Sequence, residues 1–226
     1  MTVTEVLEKR ISCKYFDQDN YPSKDTIEEI LKTTHRLCPS KQNLMPYKIK
    51  VLGPEKKHIK EEMYRISSEN EYPDPDECYE KRIRRLESNQ YVWGNSQLFA
   101  PWVLIWEKRI PEANQLVKDK MELRQEPYGD LKHLQDDKTD GPQFLESGMF
   151  LMILSMLCLE KNISLGYTGC LNFRKLRLFP FSENSAIVSV GLGYPDTNVE
   201  ERYRYNRYRN VGEDKPDFSE IVQWVE

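Results

Sequence analysis

Residues Phe144–Leu159 read FLESGMFLMILSMLCL, and this stretch decides the fold. Apolar side chains occupy nearly every azimuth of a 3.6-residue turn, with Glu146 as the one charge. A helix that is apolar all round belongs in the middle of a fold, with layers on several sides. It is therefore expected to be buried on every face, with Gly148 and Ser155 marking the close approach of a neighbouring helix. The uninterrupted apolar run, Gly148–Leu159, is shorter than the ~18–20 residues that cross a bilayer, and Glu146, Glu160 and Lys161 flank it. It reads as a core helix of a chain without a membrane partner.

Short strands stand around that helix. Ile163–Thr168 and Ala186–Leu192 follow it, the latter closed by Gly193-Tyr194-Pro195. Pro101–Trp106 is continuously apolar, the pattern of a strand buried on both faces. Tyr47–Leu52 alternates, the pattern of a half-buried strand. Thr2 and Glu5 have capping-box spacing and predict a first helix ending near Arg10. Ser23 caps a second, whose stripe is Ile27, Ile30, Leu31, Thr34 and Cys38; Gly53-Pro54 opens a third, carrying Ile59, Met63 and Ile66. Strands separated by helices, with no internal repeat, predict an α+β or three-layer α/β fold. Residues 68–90 and 107–142 are polar and too poor in apolar surface to fold alone, so residues 1–226 read as one domain with two excursions, or lids.

Composition narrows the function. The chain has 226 residues, a formal net charge of -4 and 38% hydrophobic residues, a thin core that 8 Phe, 4 Trp and 13 Tyr help to fill. A pI near 5.6 weighs against nucleic-acid binding over the whole surface. The interleaved Arg and Tyr of Arg202–Arg209 are the one local exception, and salt-dependent oligonucleotide binding would reveal it. Five cysteines at wide spacing (Cys13, Cys38, Cys78, Cys158, Cys170), without a CxxC pair or a histidine at ligand spacing, argue against zinc. They suit reduced thiols in the cytoplasm, and the N-terminus has no apolar signal core. No Gly-rich phosphate loop and no nucleophile–base pair is present, so no side chain is nominated as catalytic. If the chain is an enzyme, a cofactor performs the hard step.

Four segments in order supply that cofactor. RISCKYF (Arg10–Phe16) is similar to an opening R-x-S-x-[KR]-x-F, and PSKQNLMPY (Pro39–Tyr47) to a P-S-x-x-N-x-Q-P-W turn entering the first strand. Ala100-Pro101 precedes the apolar strand. The Glu146 helix then leads through LGYTGC (Leu165–Cys170) to VGLGYP (Val190–Pro195). Together they resemble the nitroreductase family of FMN-dependent oxidoreductases, over about three quarters of the chain. The resemblance implies a three-layer α/β/α fold of α+β class, with a central, mostly antiparallel sheet, a buried central helix and a domain-exchanged homodimer. It also implies hydride transfer from NADH or NADPH through FMN to a nitroaromatic, quinone or activated alkene by ping-pong turnover.

The residue chemistry agrees. An FMN phosphate, nearly dianionic at neutral pH, needs cationic forks and hydroxyl donors. Arg10, Ser12 and Lys14 provide a guanidinium, a hydroxyl and an ammonium, with Cys13 between them. By resemblance, Pro39, Ser40 and Asn43 meet the flavin, as do Asn95 and Gln97 near its ring. Thr168-Gly169 offers backbone N–H groups to the reactive nitrogen, and Arg207 and Arg209 return to the phosphate, with Arg209 the direct contact. Thr168 stands where many members have Glu, Met45 where Gln is usual and Tyr47 where Trp is usual. Those departures bear on substrate more than on flavin. The alternative is a catalytically silent flavin-binding or flavin-sensing protein of the same fold.

Overall fold

Both capping predictions hold in the computed structural model, which describes residues 2–68, 80, 81, 83, 84, 95–124, 141–169, 186–199, 216 and 218–222. Thr2 Oγ1 accepts from Glu5 N at 3.2 Å and Glu5 Oε2 accepts from Thr2 N at 2.6 Å, starting α1 (Val3–Glu8). Ser23 Oγ accepts from Thr26 N at 3.2 Å and starts α2 (Lys24–Leu37), whose Ile27, Ile30 and Thr34 are buried. The strands are β1 (Tyr47–Leu52), β2 (Trp102–Lys108), β3 (Ser164–Thr168) and β4 (Ala186–Gly193). They lie in the order β1-β2-β4-β3, with every pair antiparallel.

The continuous apolarity of β2 has a direct cause. Trp102, Leu104 and Trp106 face one side and pack with Ile27, Phe150 and Leu154. Val103 and Ile105 face the other, against Met63 and Tyr64 of α3 (Lys57–Ser68) and Leu98 and Phe99 of a short 3-10 turn. Trp102 Nε1 donates to Pro22 O at 2.8 Å and ties the entry of α2 to the strand.

One buried charge braces the far side. Lys60, 3% exposed, donates from Nζ to Ala100 O and Pro101 O, both at 2.8 Å. Burial pushes this ammonium from its ordinary value of 10.5 down to about 8, with Glu55 opposing. Between those two values the unfolded chain binds more protons at Lys60 than the folded one, so this group makes stability rise with pH across that window. Urea midpoints at pH 7.5 and 9.5 should therefore rise more for wild type than for Lys60→Met. Equal pH slopes would show that the burial does not act.

The central helix departs from expectation. It begins earlier, as α5 (Gly141–Glu160), and Phe150, Leu154 and Cys158 enter the core at i, i+4 and i+8. It is not buried all round: Phe144 is 51% exposed, Leu145 65% and Met152 50%. Gly148 is also exposed, and a Cβ built on it would meet nothing within 4 Å, so among the described residues no helix approaches there. Ser155 is buried, but its hydroxyl bonds Leu151 O and the Tyr167 hydroxyl. Among the described residues, packing leaves the Phe144, Leu145 and Met152 side of the helix uncovered. Its length and composition would allow it to cross a membrane, but its Phe150, Leu154 and Cys158 face is packed in the core with residues of the sheet.

The second polar excursion is partly folded into the body. It carries α4 (Gln115–Arg124), whose Val117 and Met121 bury against Leu44. Cys13, Cys38 and Cys158 are buried thiols outside any disulfide, and desolvation pushes Cys158 up to about 12. At the C-terminal end, α6 (Phe218–Ile221) leaves Ile221 and Val222 exposed. Trp224 and the Arg202–Arg209 tract lie outside the described residues.

Candidate functional site

Arg10, Ser12 and Lys14 lie in one segment along the outer edge of β3. Arg10 follows the end of α1, and its N–H donates to Leu7 O at 3.0 Å. The chain then extends, Ser12 bridging Leu165 in parallel register while Cys13 N donates to Leu165 O at 2.9 Å. Extension alternates the side chains: Ser12 is exposed, Cys13 fully buried and Lys14 half-buried. Cys13 thus turns its thiol inward, donating to Tyr15 O at 3.1 Å, and leaves only backbone at the edge. Arg10 also lies within electrostatic reach of Tyr167: burial pushes that phenol up, while the Ser155 hydrogen bond and then the Arg10 charge oppose the shift.

The end of β3 belongs to the same place. Thr168 is 2% exposed and its Oγ1 has no partner among the described residues, whereas Gly169 is exposed and a Cβ added to it would meet none of them within 4 Å. Gln97 packs beneath. It is 1% exposed, and its Nε2 donates to Tyr167 O at 2.7 Å. Its Oε1 is buried without a hydrogen-bond partner among the described residues. Gln97 therefore braces β3 from below, which is a packing role rather than an exposed amide. Asn95 is half-buried, and its carbonyl accepts from Leu98 N at 2.9 Å. Arg207 and Arg209 lie outside the described residues.

Pro39, Ser40 and Asn43 stand elsewhere. They form the turn that enters β1, the opposite edge of the sheet. Three strand spacings of about 4.8 Å, roughly 14 Å in all, separate β1 from β3. The turn itself is unusual: Gln42, Asn43 and Met45 have φ of 58°, 56° and 47°, a region that side chains other than glycine rarely adopt. Asn43 is exposed at its tip, and Ser40 Oγ accepts from Met45 N at 2.8 Å.

Three residues that hold this turn carry no local motif. Glu146 Oε1 accepts from Lys41 N at 3.0 Å. Arg109 Nη1 donates to Leu44 O at 2.7 Å and Met45 O at 2.9 Å, and Asn114 Nδ2 donates to Gln42 O at 2.7 Å. Their partners are 64 to 105 residues away, and no periodicity links such positions. Beside the turn, a groove of about 1040 Å³ between α2 and β1 is lined by Leu31, His35, Met45, Tyr47 and Phe150. Burial, with the nearby Cys38 thiol and Glu146 carboxylate, pushes the Tyr47 phenol far above its ordinary range.

A model of the nitroreductase family matches residues 7–194. A nitroreductase-like protein from Streptococcus mutans superposes with a TM-score of 0.65 at 16% identity, covering 99% of this chain and 98% of that one. The FMN and NADPH-dependent nitroreductase NfnB from Sphigopyxis sp. strain HMH gives 0.64 at 15% identity, with full coverage of both chains at 100%. A nitroreductase with bound FMN from Desulfitobacterium hafniense DCB-2 gives 0.58 at 16%, again with 100% coverage of both. At such identities the likeness concerns the fold. No curated protein matches the chain.

Proposed function

Because the chain belongs to the nitroreductase family, whose model spans residues 7–194, we propose that it is an FMN-dependent oxidoreductase. It would carry hydride from NADH or NADPH to an electron-poor small molecule such as a nitroaromatic, quinone or activated alkene. The observation that carries this reading is the β3 edge. Exposed Arg10 and Ser12 and half-buried Lys14 lie there within five residues, and the same strand ends at an exposed Gly169 whose added Cβ would meet none of the described residues within 4 Å. Two cations and a hydroxyl suit a phosphate dianion, and the backbone at Gly169 can be approached closely, so the residues fit FMN.

Arg10, Ser12 and Lys14 would hold the phosphate, joined by Arg209, and Thr168-Gly169 would present backbone N–H groups to the ring. Bound FMN supplies the two-electron redox chemistry. The chain's own part is to orient the ring and to offer one shallow site that nicotinamide and acceptor use in turn, a ping-pong arrangement without an essential side-chain acid or base. The separation of the two candidate groups favours a domain-exchanged homodimer in which the partner's Ser40–Asn43 turn completes each site. The exposed apolar face of α5 (Leu145, Met152) favours the same assembly. In this reading residues 1–226 are one three-layer α/β/α domain, working in the cytoplasm.

The spectrum of the purified protein tests the proposal: a yellow chromophore released as FMN on denaturation is expected, and a colourless protein that takes up no FMN would end it. Arg10→Ala should weaken FMN by about 10- to 150-fold, the value of one charge-assisted hydrogen bond. Riboflavin, lacking the phosphate, should bind wild type and variant alike. Thr168 in place of a carboxylate favours one alternative, a silent flavin protein. Stopped-flow mixing with NADPH separates them, since only the enzyme bleaches within turnover time.

A further inference from the structure

The strained turn before β1 has four of its carbonyls taken from one direction. Within Ser40–Pro46, Asn43 N donates to Ser40 O at 3.1 Å and Leu44 N to Lys41 O at 3.2 Å. Met45 N donates to Ser40 Oγ, and Lys41 N to Glu146. The carbonyls of Gln42, Leu44, Met45 and Pro46 are all taken by the segment after β2: by Asn114 Nδ2, by the Arg109 guanidinium twice, and by Arg109 N at 3.1 Å. Leu44 is plugged between Val117 and Met121 of α4. Asn114 also caps that helix, its Oδ1 accepting from Val117 N at 3.0 Å. Three left-handed non-glycine residues persist only where the surroundings over-determine them, and such strain collects at ligand clamps. What this clamp leaves exposed is Lys41, whose N–H is held by Glu146, and Asn43 at the tip.

We propose that Arg109 and Asn114 are positioning residues that hold the Ser40–Pro46 turn in its left-handed form and so present Asn43 to the cofactor. This rests on the flavin reading above. It gives the polar segment after β2 a different role from a lid over the substrate: the segment is a buttress, and α4 is wired to the turn through one asparagine that caps the helix with its oxygen and grips the turn with its nitrogen. Glu146 does the same from α5, linking the turn to the central helix.

Asn114→Asp separates the two duties. An aspartate keeps the cap acceptor but loses the donor to Gln42 O. Dissociation constants for FMN and riboflavin, read by quenching of flavin fluorescence, should both rise about ten-fold in Asn114→Asp and in Arg109→Met, the scale of one lost hydrogen bond. Their ratio should not change, because the turn lies away from the phosphate clamp; Arg10→Ala changes that ratio. Arg109→Lys should recover part of the loss. In an Asn43→Ala background, Arg109→Met should change either constant less than about two-fold, since a residue that acts through another is non-additive with it. Wild-type affinity in folded Asn114→Asp, or full additivity with Asn43→Ala, overturns the proposal while the flavin reading stands. A wild-type chain that binds neither FMN nor riboflavin overturns both.

Discussion

Gly166→Ala should leave a chain that cannot dock its N-terminal segment on the sheet. A Cβ on Gly166 would lie 2.0 Å from Cys13 O and 2.6 Å from Gln97 Cγ. Neither neighbour can retreat. Cys13 is bonded to Leu165 through its N–H, Asp17 N donates to Tyr194 O at 2.9 Å, and Asp196 N donates to Tyr15 O at 3.1 Å. Gln97 is anchored on the Tyr167 carbonyl. Overpacking commonly costs about 1–3 kcal/mol, and a clash with pinned backbone belongs at or above the top of that range. Against the roughly 5–15 kcal/mol of a whole domain, that is a large share. Gly191→Ala meets the same residue from the other side, its Cβ 2.3 Å from Gln97 O. Urea unfolding should show both variants strongly destabilised or insoluble. Wild-type stability in Gly166→Ala would mean that the Arg10–Lys14 segment is not seated against β3.

The second large effect separates the two faces of the central helix. Leu154 is 0% exposed and sits among Trp106, Phe150 and Leu165, so Leu154→Asp puts an unpaired charge into the core. The cost is several kcal/mol before the carboxylate neutralises, and the chain should be recovered unfolded or not at all. Met152, two residues earlier, is half exposed, so Met152→Asp should fold normally. If α5 meets its counterpart across a dimer, the same substitution places like charges against each other in an apolar contact. Light scattering should then find Met152→Asp monomeric at low micromolar concentration, with its flavin lost along with the partner's turn. A yellow, dimeric Met152→Asp would place the interface elsewhere.

The polar segment after β2 shows how a correct local reading can miss a role. Residues 107–142 contain few apolar positions, and that composition suggested an excursion. Yet Val117 and Met121, one helical turn apart, bury against a single leucine, and Arg109 and Asn114 reach backbone carbonyls. Two apolar side chains suffice when the partner is a turn rather than a second core.

The elements themselves were determined by the sequence. Cap residues such as Thr2 and Ser23, the alternation of Tyr47–Leu52 and the doubly buried run Trp102–Trp106 act through neighbours a few residues away, and local spacing reports local physics. The cationic trio was legible for the same reason: Arg10, Ser12 and Lys14 are adjacent in sequence and stay adjacent on an extended edge. Only the tertiary structure decided which face of the Phe144–Leu159 helix is covered, because an all-apolar helix carries no periodic signal to choose one. It also turned Cys13 and Gln97 inward, since two glycines at Gly166 and Gly191 let backbone and side chain approach the sheet at contact distance. Finally, it set the turn bearing Asn43 on the opposite edge of the sheet from Arg10. That separation is a property of strand order, which arises from pairing between distant segments and leaves no mark on any one of them.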